Sequence, residues 1–83
     1  MNENEFFESS DLALASALYC LGAKLDTVDR TNPRRAVFVF QREKGLDALV
    51  QAFWARTLMV DAMGYFTAQR QLKQRLYEPA FEY

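Results

Sequence analysis

The sequence predicts an α+β domain: a small antiparallel sheet, element order β-α-β-β-α-α, with helices packed on one face. Three observations carry that prediction. Ala36-Val37-Phe38-Val39-Phe40 is apolar at every position, as expected of a central strand that is either covered on both faces or paired tightly within a sheet. Apolar residues recur at three- and four-residue intervals before Gly22 and again after Gly45, which marks two helices. Turn-forming residues fill Asp29-Arg30-Thr31-Asn32-Pro33, between two strand-like segments, and so close a hairpin.

The first half reads element by element. Phe6-Phe7 forms a short edge strand or docked arm, and Ser10 is placed to accept from the free amides of the following helix. From Asp11 to Leu21 the stripe is Leu14, Ala17, Leu18 and Leu21, and Gly22 takes the left-handed position that ends a helix. Cys20 lies beside Ser16, off that stripe, as a packing or surface residue. Ala23 to Asp29 places Leu25, Thr27 and Val28 among charges, a strand with one wet face. Pro33 keeps Asn32 out of helical geometry, and Arg35 to Gln41 is the second hairpin strand. Phe38 and Phe40 share one face of it and are expected in the core.

Beyond Gly45, the set Leu46, Leu49, Val50, Phe53 and Trp54 gives a helix with a broad buried face, ending near Arg56-Thr57. Leu58-Met59-Val60 connects it to a last helix, Ala62 to Tyr77, capped by Asp61. Its stripe is Tyr65, Phe66, Leu72 and Leu76, and Gln69 and Lys73 fall inside it, against the binary pattern. Pro79 stops the helix, and Phe81 and Tyr83 form a tail expected to dock. The expected organisation is a single domain over 1–83, with a flexible N-terminus at 1–5 and a C-terminal tail at 79–83.

Eighty-three residues hold one core, and so short a chain buries only about 60–65% of its unfolded surface. Seven Phe, four Tyr and one Trp offset this, since burying each Phe contributes roughly 1.5–3 kcal/mol. One cysteine rules out an internal disulfide and sets the expectation of a reducing, cytoplasmic location. The acidic start carries no signal-peptide pattern, and no apolar run approaches the roughly 18 residues that cross a bilayer, so no membrane contact is expected. The net charge of −1 hides an asymmetry: residues 1–29 hold six acids against Lys24, whereas residues 30–77 hold nine bases against three acids.

The residue inventory argues against catalysis. With no histidine, a serine or cysteine nucleophile lacks its usual base, and zinc would depend on Cys20 and carboxylates. Glu43 and Asp47 stand one helical turn apart, but nothing supplies the apolar pocket that would raise one pKa, so both read as solvated. Lys44-Gly45 lacks the flanking glycines and hydroxyl of a phosphate loop. No cofactor, metal or small-molecule substrate is expected, and the chain reads as a non-enzyme.

Arg34-Arg35 running into Phe38 and Phe40 is similar to the basic-aromatic strand of RNA-recognition motifs, though the spacing differs and the accompanying glycine is missing. Phosphate contact needs only a basic surface. The expected contact residues are Arg34, Arg35, Arg56, Gln69, Arg70, Lys73, Arg75 and Tyr77. The bland alternative is that these are solvated helix faces, with Lys73 laying its methylenes over the core and Gln69 at the stripe's margin.

Gly22 after a Leu/Ala helix, Phe38-Val39-Phe40, Phe53-Trp54, Val60-Asp61, Phe66, Leu72-Lys73, Arg75 and Tyr77 together resemble a family of small domains of unknown function found in phages, mobile elements and uncultured bacteria and archaea. The likeness covers about residues 6–78. Most of these positions are core-type, so the resemblance speaks to fold, and it implies a genomic setting without catalytic residues, cofactor or partner. The Asp29–Pro33 turn and the Phe81/Tyr83 tail depart from it. The expected function is a phage- or mobile-element-associated binding module whose Arg/Lys surface contacts DNA or RNA backbone. The alternatives are a module that occupies a host or defence protein, and a structural or homodimer-forming domain.

Overall fold

A computed structural model describes residues 5–32 and 34–77. Pro33, the 1–4 segment, the Pro79 break and the Phe81/Tyr83 tail lie outside the described residues. The elements are β1 (Phe6–Ser9), α1 (Leu12–Cys20), β2 (Leu25–Asp29), β3 (Val37–Gln41), α2 (Leu46–Ala55) and α3 (Ala62–Tyr77), which is the expected order. The sheet is antiparallel in the order β1-β3-β2, so the most apolar strand is central.

Strand pairing decides which side chains reach the core. Phe40 sits opposite Phe7 on one side and Leu25 on the other, and Phe38 opposite Ser9 and Val28. Phe38 and Phe40 are 2% and 0% exposed and pack with Leu14, Leu18, Leu46 and Leu72. Val37 and Val39 point to the other face and are half-buried, with Glu8, Thr27 and Gln41 exposed around them. Among the described residues no helix packs on that face, and the fold has two layers. Leu25 and Val28, three residues apart, both pack on the core because an irregularity between Leu25 and Thr27 resets the alternation.

α1 occupies the middle of the helical layer, with α3 against one flank and α2 more lightly against the other. The expected one-sided stripe on α1 is corrected here. Leu14, Ala15, Ser16, Ala17 and Leu18 are all buried, whereas Leu21 is exposed, because a helix flanked by two others and backed by a sheet has no wet face to spare. The cap also moves by one residue. Asp11, not Ser10, accepts from the Leu14 N–H at 3.1 Å, while the Ser9 hydroxyl accepts from the Asp11 N–H at 3.0 Å. At the other end Ala23 N–H donates to Leu18 O and Gly22 N–H to Tyr19 O, the paired closure that requires the positive φ of Gly22, 95°.

α2 and α3 lie at the edges of the helical layer, and two large side chains assigned to the core do not enter it. Trp54 is 61% exposed and Phe66 58% exposed. On α2 the inward positions are Leu46, Leu49, Val50 and Phe53, and Trp54 stands beside them with its ring edge-on to Phe53. On α3 the inward positions are Ala68, Leu72 and Leu76. Lys73 is exposed and so falls outside the stripe; Gln69 is half-buried at its margin. Asp61 caps α3 as expected, its carboxylate accepting from the Gly64 N–H at 2.7 Å.

Candidate functional site

The β2–β3 turn is built by its own side chains. Asp29 Oδ1 accepts from the Thr31 N–H and Asn32 Oδ1 from the Arg34 N–H, both at 2.9 Å, and the Arg35 N–H returns to the Asn32 carbonyl. These bonds fix the backbone from which Arg30, Arg34 and Arg35 project. The Thr31 side chain, and then its backbone N–H, hold the exposed Asp29 carboxyl below its ordinary pKa.

Across from this turn stands the last turn of α3. The Arg30 guanidinium donates to the Leu76 carbonyl at 3.3 Å, which brings the two elements together. Between them lies a cleft of about 400 Å3 lined by Arg30, Asn32, Arg34, Arg35, Leu76 and Tyr77. Arg35 Nε also donates to the Ser10 hydroxyl at 2.9 Å, which pins one wall against the β1–α1 junction. Tyr77 is 79% exposed at the lip. Three guanidiniums with forked donors, an amide and an exposed aromatic ring suit a planar or tetrahedral anion attached to a flat group. The C-terminal end of the α3 dipole opposes an anion by about 0.3–1 kcal/mol, and the Arg30 bond to a terminal carbonyl offsets part of it.

Of the residues expected at the site, Arg34, Arg35 and Tyr77 share this cleft, and Arg30 and Asn32 join them. Arg30 had a sequence signal, since it begins a turn that also holds Arg34 and Arg35. Its contact with α3 had none, because turn and helix are distant in the chain. Arg70, Lys73 and Arg75 are exposed along α3, while Gln69 turns inward. Arg56 is elsewhere: it ends α2 before the connector that starts α3, and α3 is about 22 Å long.

The nine bases of residues 30–77 do not gather on one surface. Arg42 and Lys44 follow β3, at the end of that strand opposite to Arg34 and Arg35. There Arg42 pairs with Asp47 at 2.8 Å and lies 5.8 Å from the Phe7 ring, and Lys24 pairs with Glu43 at 3.7 Å. Glu43 and Asp47 are thus each engaged by a cation. A second hollow, about 280 Å3, opens beside Gly45 and Leu46, and its one acid is the paired Glu43. Among the described residues no helix is long and apolar enough to cross a membrane.

The fold and the cleft define a small two-layer α+β domain with a basic groove at one end of its sheet. Residues 4–78 match a domain-of-unknown-function family, DUF5659, and the chain belongs to it. No curated protein and no solved structure matches the chain.

Proposed function

We propose that this domain is a non-enzymatic cytoplasmic binding module, associated with phages or mobile elements, that holds nucleic-acid backbone. The surface runs from the β2–β3 turn onto α3. One observation carries the reading: Arg30, Arg34 and Arg35 meet the end of α3 in a single cleft. Phosphate contact requires positive groups presented together and no base-reading geometry. α3 strengthens the field, since its 16 residues include Arg70 and Lys73 on one side, Arg75 on nearly the opposite side, and no acid. The absence of histidine and the engagement of Glu43 and Asp47 in ion pairs support a binding role over catalysis. The genomic setting rests on the sequence resemblance alone.

The test is direct binding to single- and double-stranded DNA and RNA in about 50 mM salt, where backbone contacts are little screened. The unmutated protein should bind, and Arg34→Ala/Arg35→Ala and Lys73→Ala/Arg75→Ala should each weaken binding while the fold persists. Absence of binding by the unmutated protein sinks the reading.

A second reading has its own observation. Trp54, Met59, Val60, Met63 and Phe66 are exposed around the α2–α3 connector, a concentration of large apolar side chains of the kind found at protein interfaces. A protein partner there would lose little affinity with salt, whereas nucleic acid at the cleft would lose much.

A further inference from the structure

We infer that the nucleic acid held here is single-stranded, with an unpaired base stacked on Tyr77 and the strand continuing along α3 over Lys73 and Arg70 towards Phe66. This rests on the nucleic-acid reading above. Phe66, Arg70, Lys73 and Tyr77 are all exposed and fall within a sector of about 60° on the helix. That sector lies roughly a third of a turn from the buried side marked by Ala68, Leu72 and Leu76, so the core does not use these side chains. Phe66 and Tyr77 are about 16 Å apart along the axis, room for a few nucleotides. Tyr77 belongs to both stripe and cleft, which makes the track continuous with the three arginines.

The pattern of ring, two cations, ring matches a chain that alternates flat bases with phosphates. An exposed ring stacks on a free base face, and in a duplex those faces are already covered, so there the ring contributes nothing while the cations still act. A second copy of this chain fits poorly. Antiparallel pairing of two α3 stripes would set Arg70 of one opposite Lys73 of the other, like charge against like charge. An acidic protein helix would satisfy the cations but would give no reason for an aromatic at the arginine cleft.

The test compares a labelled dT strand of about 12 nucleotides with a duplex of equal length, using fluorescence anisotropy on the whole chain. The strand should bind more tightly. Tyr77→Ala should lower strand affinity at least about fivefold and leave duplex affinity within about twofold, while Tyr77→Phe retains binding. Melting temperatures check that the variants fold. Equal or tighter duplex binding, or a Tyr77→Ala loss that is the same for both probes, overturns the inference with the nucleic-acid reading intact. Binding to neither probe overturns that reading and the inference together. A strand affinity that Tyr77→Ala leaves unchanged also overturns the inference.

Discussion

Arg30 donates from its guanidinium to the carbonyl of Leu76 at 3.3 Å and ties the β2–β3 turn to the end of a helix 46 positions later. The last carbonyls of α3 have no intrahelical donor, and their partial negative charge favours a cation there. Loss of this tie by Arg30→Ala should reduce stability by about 1 kcal/mol, read as a melting temperature lower by about 4–8 °C. Arg30→Lys should recover part of it. An unchanged melting curve for Arg30→Ala would show that other contacts set the turn against α3.

Phe38 stands on the central strand at 2% exposure, facing the leucines of α1 and α3. Truncation to alanine should cost roughly 3–5 kcal/mol, enough to unfold much of so small a domain. Circular dichroism and thermal melting measure it, with Phe38→Leu as the milder comparison. A Phe38→Ala protein that melts like the parent contradicts the placement of the core.

Ser16 is wholly buried on α1, and its hydroxyl finds no hydrogen-bond partner among the described residues. A buried hydroxyl without a partner destabilises, and alanine is the better helix former, so Ser16→Ala should raise stability by about 1 kcal/mol. Urea denaturation would detect the gain. Destabilisation by Ser16→Ala would mean that the hydroxyl is satisfied.

Asp29 sets a pH dependence whose sign follows from its depressed pKa. Bonds from the Thr31 side chain and backbone N–H favour the carboxylate, so the folded value lies below the ordinary 3.8. The resulting stabilisation is complete above 3.8 and is lost as pH falls through the folded value. The parent should therefore exceed Asp29→Asn in urea midpoint near neutral pH, and the gap should close at acid pH. A gap that widens on acidification would reverse the sign.

The order of elements was legible because each depends on local pattern: an uninterrupted apolar run for β3, Gly22 and Asp61 at helix ends, turn residues between β2 and β3. Membership of the core was less so. Trp54 and Phe66 extend their stripes by periodicity, yet they flank helices that each touch only one neighbouring helix extensively, so the apolar face exceeds what α1 can cover. Ala68 faces the interior but carries too little apolar area to mark a stripe. Ser16 fell off the apolar stripe of α1, and nothing in one helix reveals that two others will enclose it. For the site, the arginines were visible and the cleft was not, since it depends on the long-range meeting of Arg30 with Leu76.

The most direct test of nucleic-acid binding at this cleft is the slope of log affinity against log salt for a single strand, measured for the parent and for Arg34→Ala/Arg35→Ala. Each neutralised phosphate contributes about 0.7 to the slope, so the parent should show a slope of about −2 to −4 and the double variant one shallower by about 1.4. A parent slope near zero, or a slope that the double variant leaves unchanged, would contradict phosphate binding in the cleft.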